Sequence, residues 1–183
     1  LAKFSATGNC ELDTAWHPIA GINSTIFALT LQGNYLYAGG DFNYPPASKL
    51  AKISTSGVGL LDPTWGGSAN NIVRTLTVYG NYLYVGGDFT YAGGNSRNRI
   101  SRLSTTTGIS DPAWNPNINN TVRSIAVSAQ GVFVGGDFTT VGVTNRNRIA
   151  KLNLANGALD MTWDANANST VRALALDGTD LYV

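Results

Sequence analysis

Short apolar runs alternate with turn-forming residues along the whole chain. The segments YLYVGG at 82–87 and GVFVGG at 131–136 are rich in Val, Tyr and Phe, and Gly, Asn, Asp or Pro flank runs of this kind. Such runs are typical of β-strands. No stretch has the periodicity of an amphipathic helix over about 11 residues. The pattern therefore predicts an all-β fold.

The pattern repeats every 49 residues or so. The four tryptophans are evenly spaced, at Trp16, Trp65, Trp114 and Trp163, and GGDF occurs at 39–42, 86–89 and 135–138. NRISRL at 98–103 returns as NRIAKL at 147–152. We divide the single domain 1–183 into units at 1–21 (partial), 22–69, 70–118, 119–167 and 168–183 (partial).

Each complete unit contains four strand-like runs. In the unit 119–167 they are Thr121 to Val127, Gly131 to Phe138, Arg148 to Asn153 and Ala158 to Trp163. Four short strands in a repeat of 40 to 50 residues are typical of a β-propeller blade. We predict a propeller of four-stranded antiparallel blades, with three complete blades and two half blades in this chain.

The repeat resembles a known type. LYVGGDFT, followed by RNRI-x-RL, then G-x-x-D-x-x-W and TVR-x-L, is similar to the delta-60-type β-propeller repeat of bacterial surface and secreted proteins. The resemblance covers the whole chain. It implies a propeller scaffold and an extracellular or cell-surface bacterial location, and it supplies no catalytic residue.

The GGDF segments need an explanation, because diguanylate cyclases carry a similar GGDEF loop. That loop has a second acidic residue after its Asp, where this chain has Phe42, Phe89 and Phe138. A catalytic loop is needed once per active site, whereas GGDF ends the second strand of every complete unit. We interpret it as a structural turn in which glycine permits close backbone approach.

The Asp of GGDF has a predicted partner in the first strand. Folding the first two strands as a hairpin about residue 81 pairs Arg74 with Asp88, and the same fold about residue 130 pairs Arg123 with Asp137. Cross-strand pairs of opposite charge contribute about 0.2–1 kcal/mol. Phe27 replaces the Arg in the first complete unit, so Asp41 needs another donor. We expect these pairs to tie each blade near the central channel; the alternative is a ring of Asp that binds a cation or sugar.

Two further repeated features have structural interpretations. We expect Trp16, Trp65, Trp114 and Trp163 to pack between blades. An aspartate precedes each of them in the sequence: Asp13, Asp62, Asp111 and Asp160. Asp-Pro at 62–63 and 111–112 predicts a turn. The alternative is that these carboxylates act as catalytic pairs in glycoside hydrolysis.

The long polar connections are predicted to share one face, formed by the loops after the second and fourth strands. Loops on a rigid scaffold often carry function. The candidate binding residues are Asn95, Arg97, Arg99, Asn115, Asn117, Asn145, Arg146 and Arg148. Their amides and guanidinium groups suit a glycan or protein ligand; the alternative is a solvated face where Asn serves the turns.

Composition argues against several classes of protein. Charged residues make up 13% of the chain and the net charge is +1, so we expect no nucleic-acid partner. No apolar run reaches the roughly 18 residues that span a bilayer, so we expect no membrane insertion. His17 and Cys10 are the only histidine and cysteine, which is too few for a zinc site. We expect His17 to be a loop variant, Cys10 to be buried, and the protein to use no cofactor or metal.

We therefore predict a non-catalytic binding or structural module. The alternatives are a propeller domain of a glycan-acting enzyme with its catalytic residues elsewhere, and a repeat module for filament or surface-layer assembly. The chain opens on Leu1 and stops before a fourth GGDF. This favours a segment of a longer propeller of six to eight blades or more, in a parent chain that can carry other domains, over a four-bladed ring closed by joining the two half units.

Overall fold

The structure, a computed structural model, describes residues 1–18, 24–45 and 47–183. The predicted unit boundary at 21/22 lies outside them. Every helix or strand assigned within the described residues is a strand, as the alternation of apolar and turn residues predicted. Accordingly, this part of the chain contains no helix of the length and apolar character needed to cross a membrane.

Three antiparallel sheets of three strands follow one another. The first sheet contains β1 (Ile26–Gln32), β2 (Tyr35–Tyr44) and β3 (Ala47–Ser54). The second contains β4 (Val73–Tyr79), β5 (Tyr82–Gly87) and β8 (Ile100–Ser104). The third contains β9 (Val122–Ser128), β10 (Gly131–Gly136) and β13 (Ile149–Leu152).

Smaller hairpins complete the structure. In the second and third sheets the loop after the second strand folds into a hairpin whose two strands have two residues each. The sequence pattern did not predict these hairpins. These hairpins are β6 (Tyr91–Ala92) with β7 (Asn95–Ser96), and β11 (Thr140–Val141) with β12 (Thr144–Asn145). The last hairpin is β14 (Ala175–Asp177) with β15 (Asp180–Tyr182).

The predicted fourth strand is reduced to one β-bridge in each complete unit. The bridges join Ile53 to Leu61, Leu103 to Ser110 and Leu152 to Leu159. An Asp one residue after each bridged position turns the chain away: the Asp62 carboxylate accepts a hydrogen bond from the Thr64 N–H at 3.0 Å, for example. Local side-chain capping of this kind competes with extension of a strand.

The core lies between successive sheets. The first strands of neighbouring sheets contact each other, β1 with β4 and β4 with β9, and β14 continues the series against β9. One buried cluster joins Tyr37 of the first sheet to Trp65 and to Leu83 of the second. Side-by-side sheets with shared cores are the packing that a propeller requires.

The connections separate onto two ends of the sheets. At one end the tight turns meet, and the Thr105 N–H donates to the Asn81 carbonyl at 3.0 Å. At the other end the long loops meet, with β-bridges from Ala69 to Ala92 and from Ile118 to Val141. The second end is the predicted loop face, which we define as residues 66–71, 90–99, 115–120, 139–148 and 164–169.

Candidate functional site

The structure brings together both predicted Arg–Asp pairs. Arg74 Nε donates to both carboxylate oxygens of Asp88 at 3.0 Å, and its Nη2 donates to Oδ2 at 2.6 Å. Arg123 binds Asp137 in the same way, at 3.0, 2.9 and 2.7 Å. Two parallel charge-assisted bonds make such a contact both strong and directional.

The register of the hairpins differs slightly from the prediction. Tyr79 pairs with Tyr82, so the turn is centred between Gly80 and Asn81 rather than on residue 81. A bulge at Val73 to Thr75 shifts the pairing further, and the Asp88 N–H donates to the Ile72 carbonyl at 2.8 Å. Arg74 and Asp88 are therefore not directly opposite, and the long Arg side chain spans the offset.

A threonine of the following unit completes each cluster. Thr121 Oγ1 donates to Asp88 Oδ1 at 2.7 Å, and Thr170 Oγ1 donates to Asp137 Oδ1 at 2.9 Å. Each carboxylate thus links its own sheet to the next, and we call these groups the Arg–Asp–Thr clusters. The sequence signal for the threonines is the recurring TVR at 121–123 and 170–172, which by itself predicts only the start of a strand.

The clusters hold their carboxylates in the charged form. Burial alone would raise the pKa of Asp88, but hydrogen bonds from Arg74 and Thr121 and the charges of Arg74 and Arg123 outweigh it, so the pKa is lowered. The Arg123 hydrogen bond is the largest influence on Asp137; with Thr170 and the charge of Arg172 it lowers the pKa of Asp137 despite partial burial. With their lone pairs engaged by these donors, the two carboxylates are poorly suited to accept a proton in catalysis.

The first sheet has a different arrangement. Phe27 replaces the Arg, and Lys49 Nζ donates to Asp41 Oδ1 at 2.9 Å. The Asp41 side chain is 46% exposed, compared with 17% for Asp88 and 22% for Asp137. Asp41 therefore does find another donor, in a contact whose lysine is largely buried and whose carboxylate is open to solvent.

The two glycines of GGDF are required by close packing. A Cβ atom on Gly86 would lie 2.6 Å from Val122 Cγ1 of the next sheet, and one on Gly87 would lie 2.1 Å from the Ile72 carbonyl oxygen. The first glycine lets the neighbouring sheet pack closely, and the second lets the backbone of the adjacent strand approach. The same contacts recur in all three GGDF segments, which supports the structural interpretation of GGDF.

Three of the four tryptophans lie where adjacent units meet. The Trp16 indole N–H donates to the Ser54 carbonyl at 3.0 Å, and the Trp114 indole donates to the Asn153 carbonyl at 3.2 Å. Trp65 does the same toward Ser104 at 3.4 Å, and Trp163 packs edge-on against Phe133 with ring centroids 5.5 Å apart. The first three donate to the following unit, so each of them joins two units.

A second series of ion pairs was missed at the sequence level. A basic residue on each third strand, or at the equivalent position before the first sheet, pairs with the Asp that follows the β-bridge: Lys3–Asp13, Lys52–Asp62, Arg102–Asp111 and Lys151–Asp160. Burial would raise the pKa of Asp62, but hydrogen bonds from Lys52 and Thr64 lower it to about 2. The signal was available, since both members of the pair recur with the repeat.

Two of the candidate binding residues, Arg97 and Arg146, are buried, so the prediction that they lie exposed on the loop face was wrong. Arg97 donates to the carbonyls of Ser96 at 2.7 Å and Asp111 at 2.9 Å, and Arg146 donates to Asp164 Oδ2 at 2.9 Å. Their guanidinium groups fasten the loop hairpins to the chain beyond the bridge, because backbone carbonyls there need donors once the strand ends.

The other candidates lie on the loop face, where some have internal partners. Arg99 and Arg148 adopt positive φ, at 66° and 63°, and Arg99 donates to the Asp88 carbonyl. Asn95 Nδ2 donates to Ser110 Oγ at 2.8 Å, and Asn117 Oδ1 accepts from Asn98 at 2.7 Å. Asn115 and Asn145 are exposed.

The single cysteine and the single histidine of the chain lie away from these clusters. Cys10 is exposed, so the expectation that it would be buried was wrong; it occupies a turn at φ 56°. His17 is also exposed, and its Nδ1 lies 2.9 Å from the Ala15 carbonyl. The described residues contain no group of three or more His, Cys, Asp or Glu side chains placed to hold a metal ion.

Known proteins share the fold. Residues 82–108 and 132–162, less than half of the chain, match the profile of a family described as a domain of unknown function, DUF5122, of β-propeller type. Each matched segment begins in the second strand of a sheet and extends past its third strand, to the tight turn in one case and the bridge in the other.

Two solved structures have a similar backbone. The computationally designed Ika4 protein is 18% identical with a TM-score of 0.60, and the alignment covers 89% of this chain and 86% of that one. The computationally designed Ika8 protein is 18% identical with a TM-score of 0.61, and the alignment covers 89% of this chain and 43% of that one. No curated protein matches. With the sheet packing, these comparisons support a β-propeller fold, and they assign it no activity.

Proposed function

We propose that this protein is a non-catalytic binding module whose loop face takes a glycan, in a secreted or cell-surface bacterial setting. The observation that carries the proposal is the construction of the loop face. Asparagine side chains pin neighbouring loops to each other, and an aromatic ring and free amides stand exposed beside them.

The pinning contacts recur in two units. Asn70 Oδ1 accepts from the Thr90 N–H at 2.9 Å, and its Nδ2 donates to Thr90 Oγ1 at 2.9 Å. Asn119 makes the same contacts with Thr139, at 3.0 and 2.9 Å. Loops ordered in advance lose less conformational entropy when a ligand binds, which favours a binding surface over a flexible connection.

The exposed groups suit a sugar. Tyr91 and Asn115 are exposed on this face. An amide offers both donors and acceptors to hydroxyl groups, and a tyrosine ring offers an apolar surface with a polar tip. A protein partner usually buries an apolar centre inside a polar rim. Among the described residues, Tyr91 and Val143 are the large apolar side chains that this face exposes, which are few for such a centre.

A glycan array probed with the purified protein, followed by calorimetry on the best ligand, tests the proposal. We expect Tyr91→Ala to weaken binding about tenfold or more, because a stacked aromatic contact contributes roughly 1–3 kcal/mol in comparable ring contacts. Thr140→Ala is the matched control, since Thr140 follows GGDFT in the next unit as Tyr91 does here; it should bind like the wild type.

Two results would contradict the proposal. One is an array without a saturable ligand, or one whose ligand binds Tyr91→Ala and the wild type equally. The other is turnover of the bound glycan, which would favour the enzyme alternative.

A further inference from the structure

A buried arginine of the second unit has no carboxylate bound to its side chain. Arg97 and Arg146 are repeat equivalents, and each is 7% exposed. Arg146 Nη1 donates to Asp164 Oδ2 at 2.9 Å. The residue that corresponds to Asp164 one repeat earlier is Asn115. Within the described residues, Arg97 accordingly takes part in no ion pair.

The two guanidinium groups are otherwise held alike. Arg97 Nη1 donates to the Ser96 carbonyl at 2.7 Å, and its Nη2 donates to the Asp111 carbonyl at 2.9 Å. Arg146 donates to the two equivalent carbonyls of its own unit, at 3.3 and 3.4 Å. The Nε of each arginine is buried without a partner among the described residues. The missing carboxylate is therefore the main difference between the two sites.

The first unit has neither charge at these positions. When the units are aligned on the third strand, Ala47 stands in the place of Arg97. When they are aligned on the tryptophan, Gly66 stands in the place of Asn115. The arginine and its aspartate are thus both absent from the first complete unit and both present in the third, whereas the second unit has the cation without its anion.

The local balance of charge differs accordingly. In the second unit Arg97 contacts the Asp111 carbonyl, and Arg102 binds the Asp111 carboxylate at 2.5 Å, so two cations share one anion. In the third unit two cations meet two anions, in the pairs Arg146–Asp164 and Lys151–Asp160. A buried charge that lacks a partner is destabilising, so the second unit favours the binding of an anion.

The position of Asn115 is open to solvent. Asn115 is exposed, while its neighbours Trp114 and Pro116 are buried and hold the loop backbone in place. In the third unit the short side chain of the equivalent aspartate reaches from this position to the guanidinium group. A carboxylate that arrives from solvent beside Asn115 can therefore reach Arg97.

We propose that Arg97 binds a carboxylate of the ligand, in the place that the Asp164 carboxylate occupies at Arg146. This inference rests on the proposed function, and it makes the glycan an acidic one, with a uronic acid beside Asn115. A guanidinium group matches a planar carboxylate in shape and in charge, whereas a hydroxyl of a neutral sugar would leave the buried charge unbalanced.

Thermal denaturation without ligand tests the unbalanced charge. Asn115→Asp supplies the missing carboxylate, so we expect Tm to rise by about 2–4 °C at pH 7. Asn117→Asp is the matched control, because it adds the same charge at an exposed position of the same loop; it should change Tm by less than about 1 °C. An Asn115→Asp variant whose Tm does not exceed that of Asn117→Asp overturns the inference.

Calorimetry with a galacturonate trimer and its methyl ester tests the ligand, because the two differ in the charge of their carboxyl groups. We expect the wild type to bind the acid about tenfold more tightly than the ester, since hydrogen bonds between charged partners are the stronger ones. Asn115→Asp should lower this preference to about twofold or less, because its own carboxylate occupies the site. Asn117→Asp should keep a preference of about fivefold or more.

The outcomes separate this inference from the proposed function. A protein that binds neutral glycans, and binds the acid no better than the ester, keeps the proposed function and overturns the inference. A preference for the acid that Asn115→Asp leaves unchanged also overturns it, because the carboxylate then binds elsewhere. A protein that binds no glycan contradicts the proposed function and this inference with it. Circular dichroism of each variant checks that the β-structure is kept.

Discussion

The first sheet and the two that follow contain the same GGDF hairpin with different charged neighbours. Asp88 and Asp137 each bind an arginine of their own sheet and a threonine of the next unit. Asp41 has Phe27 and Ile72 in those places and binds Lys49 instead. Comparing the sheets therefore shows which contacts form the hairpin and which contacts only stabilise it further.

The hairpin forms without the arginine. The Asp41 N–H donates to the Thr25 carbonyl at 2.8 Å, as the Asp88 N–H does to Ile72. A Cβ on Gly40 would lie 2.2 Å from that same Thr25 oxygen, matching the contact at Gly87. Backbone approach through glycine thus defines the turn, and the Arg–Asp–Thr clusters add a link between neighbouring sheets.

The largest expected difference is between Asp88→Asn and Asp41→Asn. Asp88→Asn should lower the free energy of unfolding by about 2 kcal/mol, because it removes charge-assisted bonds to a half-buried arginine. Asp41→Asn should cost about 0.5 kcal/mol, because solvent screens the charge of the half-exposed Asp41 carboxylate. Urea denaturation measures both, and equal losses would contradict the comparison.

Acid should remove the same contribution from the wild type. The folded-state pKa of Asp88 is lowered, so its stabilisation is complete above the unfolded pKa of about 3.9 and is lost as pH falls through the folded value. The gap in unfolding free energy between the wild type and Asp88→Asn should therefore be constant above about pH 5 and shrink below about pH 4. Denaturation at stepwise lower pH measures the gap, and a gap that widens in acid would contradict the pairing.

Thr121→Val isolates the link between sheets. It keeps the shape of the side chain and removes the hydrogen bond to Asp88, so we expect a loss of about 1 kcal/mol. In a double-mutant cycle with Asp88→Asn the two losses should not add, since both variants break one cluster. Fully additive losses would mean that the threonine acts independently of Asp88.

The smallest effect is expected from building the missing link in the first sheet. Ile72→Thr supplies a hydroxyl at the position equivalent to Thr121. We expect the free energy of unfolding to rise by up to about 0.5 kcal/mol, because the new hydrogen bond contributes slightly more than the apolar burial that is lost at this half-buried site. Thermal denaturation should show no gain when Asp41→Ala is also present, because alanine has no side-chain oxygen to accept the hydrogen bond. A loss above about 1 kcal/mol would show that Asp41 lies out of reach of residue 72.

The Arg–Asp pairs were predictable because the two residues recur at a constant separation about a hairpin turn. The buried guanidinium groups of Arg97 and Arg146 were not. In the sequence they stand among Asn, Gly and Thr, which is typical of exposed loops. Burial arises because the loop folds into a hairpin of its own, and a hairpin of two-residue strands leaves too weak a pattern to recognise.

Composition, repeat period and glycine placement were enough to establish an all-β repeat fold, the hairpin ends and the pairing of Arg74 with Asp88, because each depends on residues near one another along the chain. The threonine of the next unit and the burial of Arg97 depend on how units pack. Sheets one repeat apart meet through side chains about 33 to 53 residues distant in sequence, and only their packing determines which polar groups are covered and which are left to bind.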